Sequence, residues 1–321
     1  MGNIKSRILS VGTYVPDKVL TNKYFESYLD TSDEWIMTRT GIRERRIVDP
    51  DNPMTAADMG CRAALVAMEK AKVKAEEIDG VIVATFTPDN FFPSTACRIQ
   101  ADLECKDAFA FDISAACAGF VYALTVANNM IVSGQAKTIL VVGSEVISKT
   151  LDWNDRGTCI LFGDGAGAVV LQADESGRSD RGILTCHLSS DGTMGDLLIL
   201  PAWGDERFLS MKGNEVFKHA VRCMADSIYK VIDKTGMKLE DMDLLIPHQA
   251  NIRIIQALAN QMGIPMEKVI ANLDKYGNTS SASVPLALEE AWMDGRIKDG
   301  TKIVFVGVGG GFTVGSVVCV M

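Results

Sequence analysis

The stretch Ala108-Phe-Ala-Phe-Asp-Ile-Ser-Ala-Ala-Cys-Ala-Gly-Phe120 joins an apolar run to a helical pattern through a set of small residues. The run predicts a strand at 108–113, and the apolar spacing after it predicts a helix at 117–132. Strands are also predicted at 79–85, 137–143 and 167–171, and a helix at 54–71. Because strands and helices alternate, the sequence predicts an α/β fold with largely parallel sheets covered on both faces.

The second half of the chain repeats this order. Asp243-Leu-Leu-Ile resembles Asp79-Gly-Val-Ile, and the strand that begins at Lys302 resembles the one that begins at Lys137, both at an offset of about 164. A constant offset predicts an internal duplication, although a chance likeness between two β-rich stretches is the alternative. A polar stretch separates the copies, and the predicted halves are 1–173 and 174–321.

Composition excludes several classes of protein. The chain has 321 residues, of which 47% are apolar, a profile that excludes disordered, collagen-like and small disulfide-bonded proteins. The 32 Lys and Arg residues against 41 Asp and Glu residues give a net charge of −9. Because phosphates bind basic surfaces, this charge predicts that the protein has no nucleic-acid partner.

The eight cysteines are widely scattered, with no C-x-x-C pair and no histidine spaced for zinc. They predict reduced thiols, no metal site and a cytoplasmic protein. No run of 18 or more apolar residues is present, which predicts that the chain does not span a membrane.

Cys117 differs from the other cysteines because it lies where the predicted strand turns into a helix. Backbone N–H groups at a helix N-terminus favour a thiolate, so we expect the pKa of this thiol to be lowered. The neighbouring alanines and Gly119 leave room for a reacting carbonyl. On these residues alone, a nucleophile and a buried core cysteine remain equal alternatives.

Of the three histidines, His187 lies in a predicted strand and His219 in a predicted helix, and both are interpreted as structural. His248 directly follows a buried strand, at the edge of an α/β sheet where ligands bind. Asn278 lies near the position that the offset pairs with Cys117, so we expect Cys117, His248 and Asn278 to face one cleft. An amide there can donate to a developing oxyanion, although asparagine is also common in turns.

Two glycine-rich segments resemble nucleotide-binding loops only superficially. Gly163-Asp-Gly-Ala-Gly-Ala runs into a predicted strand, whereas a dinucleotide site requires a helix there. Gly307-Val-Gly-Gly-Gly-Phe also runs into a strand, and its glycines permit backbone conformations that aim N–H groups into a cleft.

Together these motifs resemble the β-ketoacyl-acyl carrier protein synthase III family of the thiolase superfamily. The resemblance rests on Ala115-Ala-Cys-Ala-Gly-Phe, Phe162-Gly-Asp-Gly-Ala-Gly, Pro247-His-Gln-Ala-Asn, Tyr276-Gly-Asn-Thr-Ser and Gly309-Gly-Gly-Phe-Thr, which occur in the family's order. It implies a duplicated thiolase-like fold with five layers, α-β-α-β-α, and a homodimer.

The resemblance also implies a reaction. Cys117 matches the nucleophile that accepts a short acyl group from coenzyme A, and His248 and Asn278 match the pair that stabilises the malonyl enolate. The backbone N–H groups of Cys117 and Gly310 match the oxyanion hole. The implied activity is an acyltransferase that condenses acetyl-CoA or another short acyl-CoA with malonyl-acyl carrier protein and initiates fatty acid biosynthesis. No cofactor is implied, because the coenzyme A thioester is a substrate.

The binding residues are carried over in the same way. Trp35, Arg39 and Arg156 match the coenzyme A site, and Phe92 matches a residue that walls the acyl pocket across the dimer. For the acidic carrier protein, the candidate docking residues are Lys218, Arg222 and Arg253, with a solvated helix face as the alternative.

Four rival functions would also account for parts of this residue pattern. A papain-like hydrolase also uses Cys, His and Asn, but on a different framework. A biosynthetic thiolase would be expected to place a second cysteine near the C-terminal glycines, where Cys319 is interpreted as a core residue. A non-catalytic binding subunit is disfavoured because every reactive position is filled. The strongest rival is a related condensing enzyme of a secondary-metabolite pathway with a different primer.

Overall fold

Two large β-sheets organise the protein, whose structure is a computed structural model that describes residues 4–178, 180–204 and 207–321. The strands, in chain order, are β1 (Lys5–Tyr14), β2 (Val19–Thr21), β3 (Glu44–Arg46), β4 (Gly80–Ala84), β5 (Phe109–Ile113), β6 (Thr138–Glu145), β7 (Gly165–Asp174), β8 (Gly182–Ser189), β9 (Leu198–Ile199), β10 (Ser210–Met211), β11 (Leu244–Pro247), β12 (Lys302–Gly309) and β13 (Thr313–Val320). The helices are α1 (Asn22–Glu26), α2 (Asp33–Thr40), α3 (Ala56–Ala71), α4 (Thr95–Asp102), α5 (Gly119–Val132), α6 (Gly213–Thr235), α7 (Ile252–Met262), α8 (Leu273–Tyr276) and α9 (Ser283–Met293).

The two sheets have the same strand order. The first runs β1-β7-β6-β4-β5 and the second runs β8-β13-β12-β11, with an isolated parallel bridge between Leu245 and Val269 at the edge that β5 occupies in the first sheet. Strands β4 and β6 match β11 and β12 at the predicted offset of 164. This repeated order supports the division at residues 173 and 174, which falls at the end of β7 and stays a prediction.

The sheets are mixed rather than largely parallel, so that part of the prediction is wrong. Strands β4, β5 and β6 are mutually parallel, but β7 is antiparallel to both of its neighbours, and β13 behaves in the same way in the second sheet. The reason is the connection before each of these strands. No helical crossover separates β6 from β7 or β12 from β13, so the chain reverses direction and pairs antiparallel.

The three largest apolar cores hold five layers of secondary structure together. The central core packs α5 and α9 between the two sheets, the second packs α3 and α4 on the outer face of the first sheet, and the third packs α6 and α7 on the outer face of the second. The predicted five-layer α-β-α-β-α thiolase-like fold is therefore confirmed. Among the described helices, none is long and apolar enough to cross a membrane.

Candidate active site

The turn that carries Cys117 contacts its counterpart from the second half. A short 3₁₀ turn at Ala116–Ala118 precedes α5, and a second at Ser280–Ala282 precedes α9, again at an offset of 164. Ala116 and Ser280 both have left-handed backbone angles, with φ of 44° and 50°. Residues with a side chain rarely adopt this conformation, which persists where the surrounding structure requires it. The duplication thus extends to a strained turn directly before Cys117.

The C-terminal glycines pass directly over the Cys117 turn. A Cβ atom at Gly309 would lie 2.7 Å from the backbone N of Cys117 and 2.8 Å from the carbonyl O of Ala115. The Thr313 hydroxyl fixes this approach by donating to the same Ala115 carbonyl at 2.9 Å. The glycine motif is therefore required for close contact, and it brings Gly310 to the same cleft as Cys117.

The thiol of Cys117 is buried, and burial raises its pKa to about 12. The carboxyl group of Glu145 acts in the same direction, while the backbone N–H of Cys117 itself favours the thiolate. The Ser280 hydroxyl favours the thiolate more than this N–H does, and it opposes the effect of burial the most. The expected lowering of this pKa is wrong, because the desolvation of a buried thiolate outweighs the helix N-terminus. Cys117 is a thiol in this state.

His248 lies immediately after β11 and is 2% exposed. Its Nδ1 lies 2.7 Å from the Ser283 Oγ, which also accepts a long hydrogen bond of 3.4 Å from the backbone N–H of Gln249. When the Ser283 hydroxyl donates to Nδ1, the ring hydrogen of His248 is on Nε2, which is left as an N–H donor. Burial lowers the pKa of His248 to about 3, so the imidazole is neutral at neutral pH.

Asn278 lines the same cleft as Cys117 and His248. Its backbone N–H donates to the Leu161 carbonyl at 2.8 Å, which fixes the residue beside the loop before β7. Its side-chain Oδ1 accepts from the backbone N–H of Ser280 at 2.9 Å, so the Nδ2 group is left to donate. As predicted, Cys117, His248 and Asn278 line one cleft, which has a volume of about 1750 Å³.

An aromatic and cationic group also lines this cleft. Trp35 lies on α2, whose N-terminus is capped by the side chain of Ser32. The guanidinium of Arg156 lies 4.7 Å from the centre of the Trp35 ring and that of Arg39 lies 5.8 Å from it. Trp35, Arg39 and Arg156 all line the cleft. This arrangement suits a flat ligand with negative charge, because a guanidinium can both stack and bind phosphate.

Phe92 is 87% exposed and lies at the edge of the cleft. Its neighbour Phe91 stacks on Trp203 with ring centres 5.2 Å apart, and these two side chains are also exposed. Phe92 therefore faces away from the interior of its own chain, so the role in walling an acyl pocket stays a prediction.

The three candidate docking residues are exposed, and they lie on two helices that contact each other, α6 and α7. Arg253 lines the mouth of the cleft, with its guanidinium 5.9 Å from the centre of the Phe217 ring. Lys218 and Arg222 do not line the cleft. Within the described part of the chain, none of the three forms an ion pair with a carboxylate.

Two family models match this chain. One is described as 3-oxoacyl-[acyl-carrier-protein (ACP)] synthase III and matches residues 111–192, and the model of its C-terminal part matches residues 232–321. A β-ketoacyl-[acyl-carrier-protein] synthase III from Xanthomonas campestris pv. campestris is 52% identical, with 98% of this chain and 97% of the relative covered. The chain belongs to the β-ketoacyl-acyl carrier protein synthase III family.

Other members are similar to the same extent. The relative of that name from Clostridium acetobutylicum is 50% identical, with 97% of each chain covered. The crystal structure of 3-oxoacyl-[acyl-carrier-protein] synthase III from Aquifex aeolicus VF5 is 48% identical, with a TM-score of 0.94 over 98% of this chain and 100% of that chain. The synthase III model at 111–192 includes Cys117, and the C-terminal model includes His248, Asn278 and Gly310.

Several residues lie apart from the synthase III cleft. His187 lies in β8 and His219 on α6, and neither lines the cleft. Cys319 is fully buried in β13, as expected of a core residue. Among the residues described, no group of three or more His, Cys, Asp or Glu side chains is arranged to hold a metal ion.

Sequence reasoning missed two buried polar residues that interact with the predicted site residues, Ser283 and Glu145. Ser283 fixes the ring of His248, and its signal was the serine-rich segment that follows Asn278. Glu145 ends the buried strand β6 and lies close enough to affect the pKa of Cys117. Its signal was a charged residue at the carboxyl end of a strand, the same rule that selected His248.

Proposed function

We propose that this chain catalyses the decarboxylative condensation of acetyl-CoA, or another short acyl-CoA, with malonyl-acyl carrier protein, and so initiates fatty acid biosynthesis. The observation that carries the proposal is the convergence of Cys117, His248 and Asn278 on one cleft. Family membership supports the same reaction. The alternative of a secondary-metabolite pathway is not favoured. The relatives described above match this chain over nearly their full length, and all of them are named as synthase III.

In the first half-reaction, the sulfur of Cys117 attacks the thioester carbonyl of acyl-CoA. A carbon–sulfur bond forms to Cys117, the bond to coenzyme A breaks, and the thiol proton leaves on the coenzyme A sulfur. The backbone N–H groups of Cys117 and Gly310 hold the oxyanion of the tetrahedral intermediate, a contact worth roughly 10²- to 10³-fold in rate.

In the second half-reaction, the malonyl thioester loses carbon dioxide and its electrons move onto the thioester oxygen. The Nε2–H of His248 and the amide of Asn278 donate to this enolate oxygen. Because the pKa of His248 is about 3, the imidazole donates a hydrogen bond without readily protonating the carbanion. The carbanion attacks the acyl group on Cys117, and the Cys117 sulfur leaves and takes up a proton.

For coenzyme A, we assign the adenine and phosphates to Trp35, Arg39 and Arg156, since the two guanidinium groups already lie against the indole ring. The cleft runs from these residues to Cys117, which leaves a path for the pantetheine arm. No cofactor is proposed besides the coenzyme A thioester, which is a substrate.

We further propose that the enzyme is a homodimer in which Phe92 of one chain walls the acyl pocket of the other. The exposed aromatic side chains around Phe92 support this assembly, because large apolar patches on a surface mark interfaces. We also propose a cytoplasmic location, on the ground that all eight cysteines are free thiols.

A condensation assay tests the proposed function. Purified enzyme is given malonyl-acyl carrier protein with a panel of straight, branched and aromatic acyl-CoA primers, and the release of carbon dioxide and the β-ketoacyl product are measured. We expect product with acetyl-CoA or another short primer. Hydrolysis of the primer without carbon dioxide release would contradict the proposal, and product only with aromatic or long primers would favour the secondary-metabolite alternative.

We predict that Arg253→Glu raises the KM for malonyl-acyl carrier protein far more than the KM for acyl-CoA. The carrier protein is acidic, so a protein of net charge −9 needs a local basic surface to bind it, and Arg253 lies at the mouth of the cleft. The two KM values are measured by steady-state kinetics at low and high salt. The defect should shrink at high salt because exposed charges are screened.

The matched control for Arg253→Glu is Lys106→Glu, which changes the net charge equally. Lys106 is exposed and precedes the amino end of β5, whereas the cleft lies at the carboxyl ends of the strands. This control should leave both KM values unchanged. Equal effects of Arg253→Glu on both substrates at every salt concentration would place Arg253 in the shared substrate channel instead of a docking surface.

A further inference from the structure

The carboxyl group of Glu145 is fully buried next to the active-site cleft and is surrounded by hydrogen-bond donors. Its Oε2 accepts from the hydroxyls of Thr85 and Thr87 at 3.1 and 2.7 Å and from the backbone N–H groups of Phe86 and Thr87 at 3.1 and 3.2 Å. One oxygen of the carboxyl group is therefore saturated with donors. Thr85, Phe86 and Thr87 also line the cleft, so this network holds part of its wall.

The other oxygen, Oε1, accepts a long hydrogen bond of 3.4 Å from the backbone N–H of Phe86. It lies 3.0 Å from the Oγ of Ser281, which also lies 2.9 Å from the carbonyl O of Ala84. A carbonyl oxygen can only accept, and the Ser281 hydroxyl has a single hydrogen. When that hydrogen goes to Ala84, the contact with Glu145 is satisfied only if Glu145 itself carries a proton and donates it to Ser281.

We propose that Glu145 is a positioning residue that holds a proton in the resting enzyme, donates it to Ser281, and opposes the ionisation of Cys117 when it loses that proton. Ser281 is the residue that the internal offset of 164 pairs with Cys117, and the two turns that carry these residues are in contact. Glu145 thus ties the loop after β4 in the first half to the Ser281 turn of the second half, which in turn contacts the turn of Cys117. The inference rests on the proposed role of Cys117 as nucleophile.

The raised pKa of Glu145 agrees with the proton that the hydrogen-bond geometry assigns to it. Burial raises the pKa of the Glu145 carboxyl from 4.5 to about 7. When this carboxyl group is ionised, its negative charge raises the pKa of Cys117. The titratable group that faces Glu145 is the Cys117 thiol. Other charged groups on the elements around it have partners of their own: Asp89 pairs with Arg98, Asp112 accepts from the backbone of Thr95 and Ala96, Asp164 accepts from Ser148, and Lys149 donates to the Met54 carbonyl.

The test compares the wild type with Glu145→Gln, which copies the shape and the donor of a protonated glutamate. The rate at which iodoacetamide alkylates Cys117 is followed from pH 6 to 8.5 by mass spectrometry of the peptide that contains Cys117. We expect equal rates at pH 6. At pH 8.5 the variant should be alkylated at least about threefold faster, since a pKa change of one unit changes the thiolate fraction tenfold. Rates that differ by one constant factor at every pH would overturn the proposal.

Ser281→Ala distinguishes a proton donor at Glu145 from an acceptor. If Glu145 donates to Ser281, Ser281→Ala removes the acceptor and destabilises the neutral acid of Glu145. The alkylation rate of Ser281→Ala should then begin to differ from that of Glu145→Gln at a lower pH than the wild-type rate does. If Glu145 instead accepts from Ser281, Ser281→Ala destabilises the carboxylate, and the alkylation rates should begin to differ at a higher pH than in the wild type. That result would contradict the proposal. Infrared difference spectra of wild type minus Glu145→Gln at pH 6 should also contain the C=O band of a protonated carboxylic acid, and its absence would contradict the proposal.

Thermal unfolding gives an independent readout of the same proton. Because the pKa of Glu145 is higher in the folded than in the unfolded chain, its contribution to the free energy of unfolding falls as the pH rises from about 4.5 to about 7. The Tm of the wild type should therefore fall relative to that of Glu145→Gln between pH 5 and 8.5. The alkylation and unfolding measurements need no substrate. The proposal for Glu145 can therefore be tested even if the condensation assay gives no product.

Discussion

Cys117→Ala should abolish acyl transfer from acyl-CoA, with a fall in rate of at least about 10³-fold, because it removes the group that forms the covalent bond. The wild type incubated with acetyl-CoA, or another accepted primer, should gain one acyl group on the peptide that contains Cys117. Mass spectrometry of the digested protein measures this directly. The Cys117→Ala protein should gain none, even at long incubation times.

Cys97→Ala is the matched control for this experiment. Cys97 lies half-buried on α4 and is in contact with the carbonyl O of Ala110, so its loss should leave acylation intact. An acyl group found on Cys97 or Cys159 in the wild type would refute the assignment of Cys117 as nucleophile.

The succession of strands along the chain, and its repeat in the second half, could be predicted from the sequence because both depend on local patterns. Buried runs such as those of β4, β6, β11 and β12 keep the same spacing in both halves, and Gly163 is followed by β7 as expected. Strand direction depends on the connections instead. The reversals into β7 and β13 were missed because no composition signal separates a parallel neighbour from an antiparallel one.

The positions of the site residues were also predictable, whereas their protonation was not. The placement of Cys117 and His248 follows from strand ends, which the sequence marks, and the placement of Asn278 follows from the internal offset. The pKa of Cys117 depends on how much water and how many donors surround the sulfur, and these come from elements far apart in the chain. Glu145 and Ser281 show the same limit, since they are 136 residues apart and meet only in the folded protein.

His248→Ala and Asn278→Ala should each lower the rate of malonyl decarboxylation by at least about 10²-fold while some acylation of Cys117 remains. Both side chains donate to the enolate oxygen in the proposed mechanism, and neither is needed to form the bond between the sulfur and the acyl group. The two half-reactions are timed separately, by carbon dioxide release and by acylation of Cys117. His187→Ala, which alters a histidine of β8 outside the cleft, should affect neither.

The pH dependence of decarboxylation tests whether His248 acts as a neutral group. A hydrogen-bond donor whose pKa is about 3 stays neutral, so His248 should contribute no loss of rate as the pH falls through the ordinary histidine pKa of 6.5. A general base for Cys117 with this pKa would also stay neutral, so the two half-reactions separate the roles, because the removal of a base would mainly slow acylation. Variants that decarboxylate normally but fail to acylate would therefore reverse the assignment and make His248 the base that takes the proton of Cys117.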